Sequence, residues 1–268
     1  MTKKIYSLLV GIDTYHPQSV PFVPSLRGCV NDINAIETYL QERIANNKNS
    51  EFQLVKPLKL LNEKATRQAI IDGFNNYLEG ANSEDVVLFY YSGQGAKEPT
   101  VKEFWQQEPD RYHKTFVCYD SRTPNSRDLA DKELGYLIAK IALNNPHIVV
   151  IYDCCHWGTG SKELPESSRR APEETRDRPW ESLIFAGELS RSSSSSETIF
   201  MPEGKHIILS ASKDNQEAKE YRSETGEYRG IFSHFLLKSL QQDNGNLSYQ
   251  DLIKNINALV SGKINNQS

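Results

Sequence analysis

Residues 86–95 read VVLFYYSGQG, and residues 147–156 read HIVVIYDCCH. Each is a run of apolar and aromatic residues of strand length that ends abruptly in small or polar residues. A strand exposed on one face would alternate apolar with polar residues. These runs do not alternate, so both faces of each strand are predicted to be buried, as in a parallel sheet covered by helices.

Working outward from these two runs, the rest of the chain keeps the same rhythm. IYSLLVGI (5–12) reads as a first strand, and a further strand lies within FQLVKPLKLL (52–61), interrupted by a proline. TFVCYD (115–120) reads as a short strand and HIILSAS (206–212) as the last one. Apolar residues at helical spacing predict helices over 26–44, over 66–80 with Thr66 as cap, over 131–145 from Asp131 to the stop before Pro146, and over 232–240 and 248–260. Strands alternating with helices predict an α/β class with a mostly parallel sheet and helices on both faces.

Residues 158–200 differ. Ser, Pro, Glu and Arg dominate and five serines run together near the end, so the segment reads as a long flexible loop whose anchors are Trp180 and the Leu183-Ile184-Phe185 triplet.

The 268 residues are 38% hydrophobic and 25% charged, enough for a substantial core. A net charge of −4 without a basic stripe argues against nucleic acid as a partner. No run approaches the ~18 apolar residues of a membrane span. The basic start leads into an apolar stretch that stops at Asp13 without a small-residue cleavage site, and it reads as a strand rather than a leader. Cys29, Cys118, Cys154 and Cys155 show no paired spacing, which fits a reducing cytoplasm. Cys154, Cys155 and His156 are too close in sequence to make a tetrahedral zinc set, and GTGSK (158–162) lacks phosphate-loop spacing.

Ligands of parallel sheets bind beyond the carboxyl ends of the strands. If the strands ending at SGQG and DCCH are neighbours, Gln94 meets the Asp153-Cys154-Cys155 group at one edge. A cysteine there suits a nucleophile, and the amides of Gly93 and Gly95 suit an oxyanion. The residues leave a plainer reading open, with core cysteines and an ordinary glycine turn. A non-protease domain of flavodoxin-like type is a further alternative, without a phosphate fingerprint to support it.

Several blocks in order (LLVGIDTY, LRGCVNDI, DVVLFYYSGQG, DKEL, IVVIYDCCHWG and IILSAS…EAKEY…GEYRGIFSHFLLKSL) make the chain resemble the caspase-like cysteine proteases of the metacaspase and bacterial orthocaspase type, peptidase family C14. The resemblance implies a caspase-hemoglobinase fold with a sheet of about six strands. It implies a large-subunit-like part over 1–157, an intermediate loop over 158–200 and a small-subunit-like part over 201–268. The family sheet often has one more strand after the last helix, so the chain reads as a domain of a longer protein.

By the same resemblance Cys155 takes the nucleophile position, Gly95 the oxyanion region, and Cys29, Asp32, Ser92 and Asp153 a pocket for the Arg or Lys of a protein or peptide substrate. Position 94 takes the place of the general base, about 60 residues before the cysteine against roughly 50 in caspases. It holds glutamine where the family has histidine, and an amide accepts no proton near pH 7, so proteolysis is expected to be absent or strongly impaired. The other reading is a pseudoprotease that binds a peptide or partner domain. His156, His16 and His113 are not aimed at Cys155 by anything in the sequence, and Trp157 replaces the family's usual serine. The loop is often self-cleaved after a basic residue, for which Lys162, Arg169, Arg170, Arg176, Arg178 and Arg191 are candidates. Some relatives bind calcium through an Asp-Asp-Glu-Leu stretch. Here Lys132 follows Asp131, and no metal or other cofactor is expected.

Overall fold

The computed structural model describes residues 2–155, 167–189, 199–212, 217–223, 225–243 and 245–265. In chain order the elements are β1 (Lys3–Gly11), α1 (Cys29–Leu40), β2 (Phe52–Leu54), β3 (Leu58–Leu61), α2 (Arg67–Asp72), β4 (Val86–Ser92), β5 (Gly95–Pro99), β6 (Tyr112–Phe116) and β7 (Leu129–Ala130). They continue as α3 (Asp131–Ala142), β8 (His147–Asp153), β9 (Ile207–Ser210), β10 (Glu220–Arg222), β11 (Tyr228–Gly230), α4 (Ile231–Gln242) and α5 (Tyr249–Asn265).

β1, β2, β3, β4, β8 and β9 form one six-stranded sheet in the order β2-β1-β4-β8-β9, with β3 also on β1, and every pairing is parallel. β2 and β3 pair with successive parts of β1, the gap between them holding Pro57, which has no N–H to give to a ladder. The continuous apolar strands are explained by two cores. Leu8, Val10, Val87, Phe89, Tyr91, Ile148 and Val150 face one side, against Ile70 and Phe74 beyond α2's start and Leu134, Leu137 and Ile141 of α3. Leu9, Leu88, Tyr90, Val149 and Ile151 face the other, against Ile33 and Ile36 of α1, Phe232 and Leu236 of α4, and Ile256 of α5.

Caps fix where the helices start. The Thr66 hydroxyl accepts from the Ala69 amide at 3.1 Å, and the Asp13 carboxylate, just past β1, accepts from the first amide of α1, that of Cys29, at 2.7 Å.

Two expectations change. The strand anticipated at 115–120 lies at 112–116 and belongs to a separate antiparallel sheet, β5-β6-β7. The turn SGQG leads straight into β5, and Pro99, at β5's end, and Tyr112, at β6's start, pair across it. Residues 167–189, expected as a flexible loop anchored by Trp180 and the Leu183-Ile184-Phe185 triplet, pack against the protein, with those anchors in place. Trp180, Leu183 and Phe185 join Val101, Phe104 and Tyr136 in a third apolar cluster.

Candidate active site

Register places the site. Gly11 pairs with Ser92 and Ser92 with Asp153, so the ends of β1, β4 and β8 lie side by side. The chain emerges from them with Gln94 on one strand end and Cys154-Cys155 on the other.

Cys154 belongs to the core. The Cys155 thiol is buried too. Its Sγ accepts from the Ala218 amide at 2.6 Å and donates to the Ala218 carbonyl at 3.3 Å. Burial pushes the Cys155 thiol up to about 11, a shift only partly offset by that amide.

Gln94 is buried and tightly held. Its side-chain Nε2 donates to the Pro24 carbonyl at 3.1 Å and its backbone amide to the Tyr15 hydroxyl at 2.7 Å. The other end of the side chain, Oε1, is buried and takes no hydrogen bond. Gly93 serves a different purpose from the one anticipated. Its amide donates to the Asp153 carbonyl at 3.4 Å, and a Cβ there would stand 2.7 Å from the Tyr91 hydroxyl. That hydroxyl in turn donates to the carbonyls of Gln94 and Val117. The glycine is required by a close-packed tyrosine.

The chain's own Arg169 fills the space among the predicted pocket residues. Its guanidinium lies 2.7 Å from Asp32 Oδ2, 3.1 Å from Asp153 Oδ2 and 3.1 Å from Glu220 Oε1, and it donates to the Ser92 hydroxyl at 2.8 Å. The Arg169 side chain is fully buried. Asp32 is held on its other side by Arg229 at 2.8 Å, and Asp153 accepts from the Ser233 amide, in the first turn of α4, at 3.0 Å. Burial outweighs Arg169 and raises the Asp153 carboxyl above the usual carboxylate range. Gly230 leaves the room. A Cβ there would meet Asp153 Oδ2 at 2.2 Å and Arg169 Nη1 at 2.6 Å. Cys29, expected in this group, stands behind it, with its Sγ 3.8 Å from Glu220 Oε1.

The backbone around Arg169 lies between two edges. The Arg169 amide donates to the Ala218 carbonyl and the Glu220 amide to the Ser167 carbonyl, while on the other side the Ala171 amide donates to the Gly95 carbonyl. The Arg169 carbonyl accepts from two amides at once, Gly95 at 3.0 Å and Cys155 at 3.1 Å. Two converging N–H groups beside a cysteine are the arrangement that stabilises an oxyanion in acyl transfer. The bond held there is Arg169–Arg170.

Sequence reading named Asp32, Ser92, Asp153, Gly95, Gln94 and Cys155, and the structure gathers them. It gave no role to Glu220, Arg229, Gly230 or Ala218, although all four lie in the EAKEY and GEYRG blocks. Of the histidines, His16 packs against Tyr119 and His113 is buried on β6. His156, Trp157, Lys162 and Arg191 lie outside the described residues. Arg176 pairs with Glu174 at 2.7 Å and Arg178 with Glu98 at 2.5 Å. At the start of α3, Lys132 forms an ion pair with Glu108. Asp13, Cys29 and Glu220 bring ligand-type atoms within 4.8 Å of one another. Asp13 is committed to the amides of α1 and Glu220 to those of Arg27 and Gly28.

Residues 5–163 match the family model for the metacaspase, peptidase C14 domain. Metacaspase-1B of Aspergillus fumigatus is 23% identical over 96% of this chain and 66% of its own length. Metacaspase-1 of Candida albicans is 25% identical over 96% of this chain and 62% of its own length. The chain thus spans less than two thirds of these relatives. A solved structure from Geobacter sulfurreducens matches the fold, with a TM-score of 0.63, 19% identity and coverage of 95% of this chain and 88% of that one. Among the described residues, no helix is long and apolar enough to cross a membrane.

Proposed function

The chain belongs to the metacaspase, peptidase C14 family of caspase-like cysteine proteases, and from that premise we propose an endopeptidase site that recognises arginine, with lysine as a weaker fit, and that is switched off at Gln94. The observation that carries the reading is Arg169, with its guanidinium among Asp32, Asp153, Glu220 and Ser92 and its carbonyl on the Gly95 and Cys155 amides. A planar guanidinium fills such a multi-acceptor pocket better than a point-like ammonium does.

Cleavage would proceed by attack of the Cys155 thiolate on the Arg169 carbonyl carbon, with the oxygen's negative charge received by the two amides. The C–N bond then breaks as a proton reaches the Arg170 nitrogen, and water hydrolyses the thioester. Two proton transfers are needed, one off the thiol and one onto nitrogen. The Gln94 amide performs neither, which costs about 10²- to 10⁴-fold in rate. With the thiol buried and raised to about 11, little thiolate forms unaided near neutral pH. A histidine at 94 would find the Pro24 carbonyl that now binds Nε2. Bonding one ring N–H there would fix the tautomer and leave the other nitrogen as base.

The test is the fate of the Arg169–Arg170 bond, read by intact-mass spectrometry. The protein as given is expected to stay whole. Gln94→His is expected to split into 1–169 and 170–268, and adding Cys155→Ala or Arg169→Ala is expected to abolish that split. A protein that splits as given, dependent on Cys155, would show that Gln94 is not the switch. A second reading, a pseudoprotease used for binding, is favoured by how Gln94 is held: its Nε2 is bonded to the Pro24 carbonyl and its side chain is buried, with Oε1 alone unbonded. An intact Gln94→His protein would favour it.

A further inference from the structure

Nine tenths of the way to burial is rare for an arginine in a polar linker, yet two arginines of this segment are buried without remainder: the side chains of Arg169 and Arg178 are both 0% exposed. Arg178 has partners of its own, none of them shared with Arg169. Nε pairs with Glu98 Oε1 of β5 at 2.5 Å and Nη1 with Glu133 Oε2 of α3 at 3.2 Å, while Nη2 donates to the Asp128 carbonyl before β7 at 2.5 Å. These partners span all of the guanidinium's nitrogens, and none belongs to the segment that carries Arg178. The socket is therefore built by the body of the protein and filled by the strap.

What lies between the two arginines runs along β5. The Ala171 amide donates to the Gly95 carbonyl and the Glu174 amide to the Lys97 carbonyl. Beyond Arg178, the Ile184 amide donates to Glu133 Oε1 at 3.1 Å, and Trp180, Leu183 and Phe185 pack with Phe104 and Tyr136. A cut between Arg169 and Arg170 would leave Arg178 on the far side of the break, still in its socket.

We propose that Glu98, Glu133 and the Asp128 carbonyl form a second arginine-binding socket, and that Arg178 in it is the clasp holding residues 170–189 on the β5-β6-β7 sheet. The clasp aligns the segment along β5 and so keeps Arg169 seated, which closes the first pocket to arginine-bearing peptides from outside. This closure rests on the reading of that pocket given above; the clasp itself does not. Removing the guanidinium strands Glu98 and Glu133 in a buried site, a change that costs far more than loss of a surface pair.

Hydrogen exchange at the Ala171 and Glu174 amides tests the clasp in the uncut, full-length protein. In Arg178→Met and in Glu98→Leu, which removes the acceptor as well as the charge, both amides are expected to exchange at least about 100-fold faster, with those of β4 unchanged and Arg178→Lys intermediate. If Arg178→Met fails to fold, Glu98→Leu decides. Unchanged protection of both amides in a folded variant would overturn the clasp. A parallel titration with a fluorescein-labelled arginine peptide amide judges the first pocket. The protein as given is expected not to bind it, Arg169→Ala to bind it, and Arg178→Met to gain binding. If Arg169→Ala does not bind, the pocket reading fails and the exchange data still judge the clasp. If Arg169→Ala binds but Arg178→Met shows neither binding nor faster exchange, the clasp fails and the pocket stands.

Discussion

At the scale of single residues, the site is one of buried thiols and crowded atoms. Cys155 is buried, bonded to Ala218 and raised to about 11. Cys29, Cys118 and Cys154 are buried free thiols as well. Iodoacetamide near neutral pH is therefore expected to label the folded protein slowly at all four. Arg169→Ala, which releases the segment over Cys155, is expected to speed labelling at Cys155 at least about tenfold and leave the other three unchanged. Peptide mapping after timed quenching checks this, and equal labelling of Cys155 in both proteins would count against the segment as its cover. Gln94 was legible as a departure from pattern. The packing reason for Gly93 was not, because the Tyr91 hydroxyl reaches it through space.

At the scale of elements, the join between β4 and the turn after it depends on that same hydroxyl. Tyr91 Oη donates to the Gln94 carbonyl at 2.7 Å and the Val117 carbonyl at 2.9 Å, tying the strand tip to the turn that carries Gln94. The Gln94 carbonyl keeps a second donor, the Val117 amide at 3.0 Å. The Val117 carbonyl loses the Tyr91 donor, so Tyr91→Phe is expected to cost about 1–3 kcal/mol. A lowered urea midpoint with unchanged slope would be the sign. Strand and helix existence was readable from period alone at this scale. The β5-β6-β7 sheet was not, since Glu98 in KEP and His113 in YHKTF break the apolar pattern and are buried only beside partners that folding brings, Arg178 for one and the Thr100 hydroxyl for the other.

At the scale of the whole molecule, buried titratable groups set the response to pH. His113 on β6 is fully buried, with Nε2 2.8 Å from the Thr100 hydroxyl. Burial, then Arg178 and Lys132, lowers its pKa to about 3. The folded protein keeps this imidazole neutral while the unfolded chain protonates it near 6.5. Stability from this group is therefore full above about pH 6.5 and falls as pH drops toward 3, by about 1.4 kcal/mol per pH unit. Glu98 acts in the opposite sense. Burial raises it to about 7 in spite of Arg178, so its effect on stability worsens as pH rises from 4.5 to 7. Comparing the given protein with His113→Phe by urea denaturation from pH 7 to 4 is expected to show a gap that narrows as the pH falls. A gap independent of pH would mean that His113 titrates in the fold as it does in the unfolded chain.

By itself the sequence determined the class of sheet and, through its motifs, the family, and it singled out the strand ends and Gln94 as the places to look. Each of these is written locally, in unbroken apolar runs buried on both faces, in caps such as Thr66, and in motifs a few residues long. Only the tertiary structure decided which of the described basic residues of the loop are buried, and against what. Composition gives Arg169, Arg170, Arg176 and Arg178 the same polar surroundings. What separates them is carboxylates supplied from distant elements, Asp32, Asp153 and Glu220 for one and Glu98 and Glu133 for the other. A charge leaves water only where such partners converge in space, and that convergence exists only once the chain has folded.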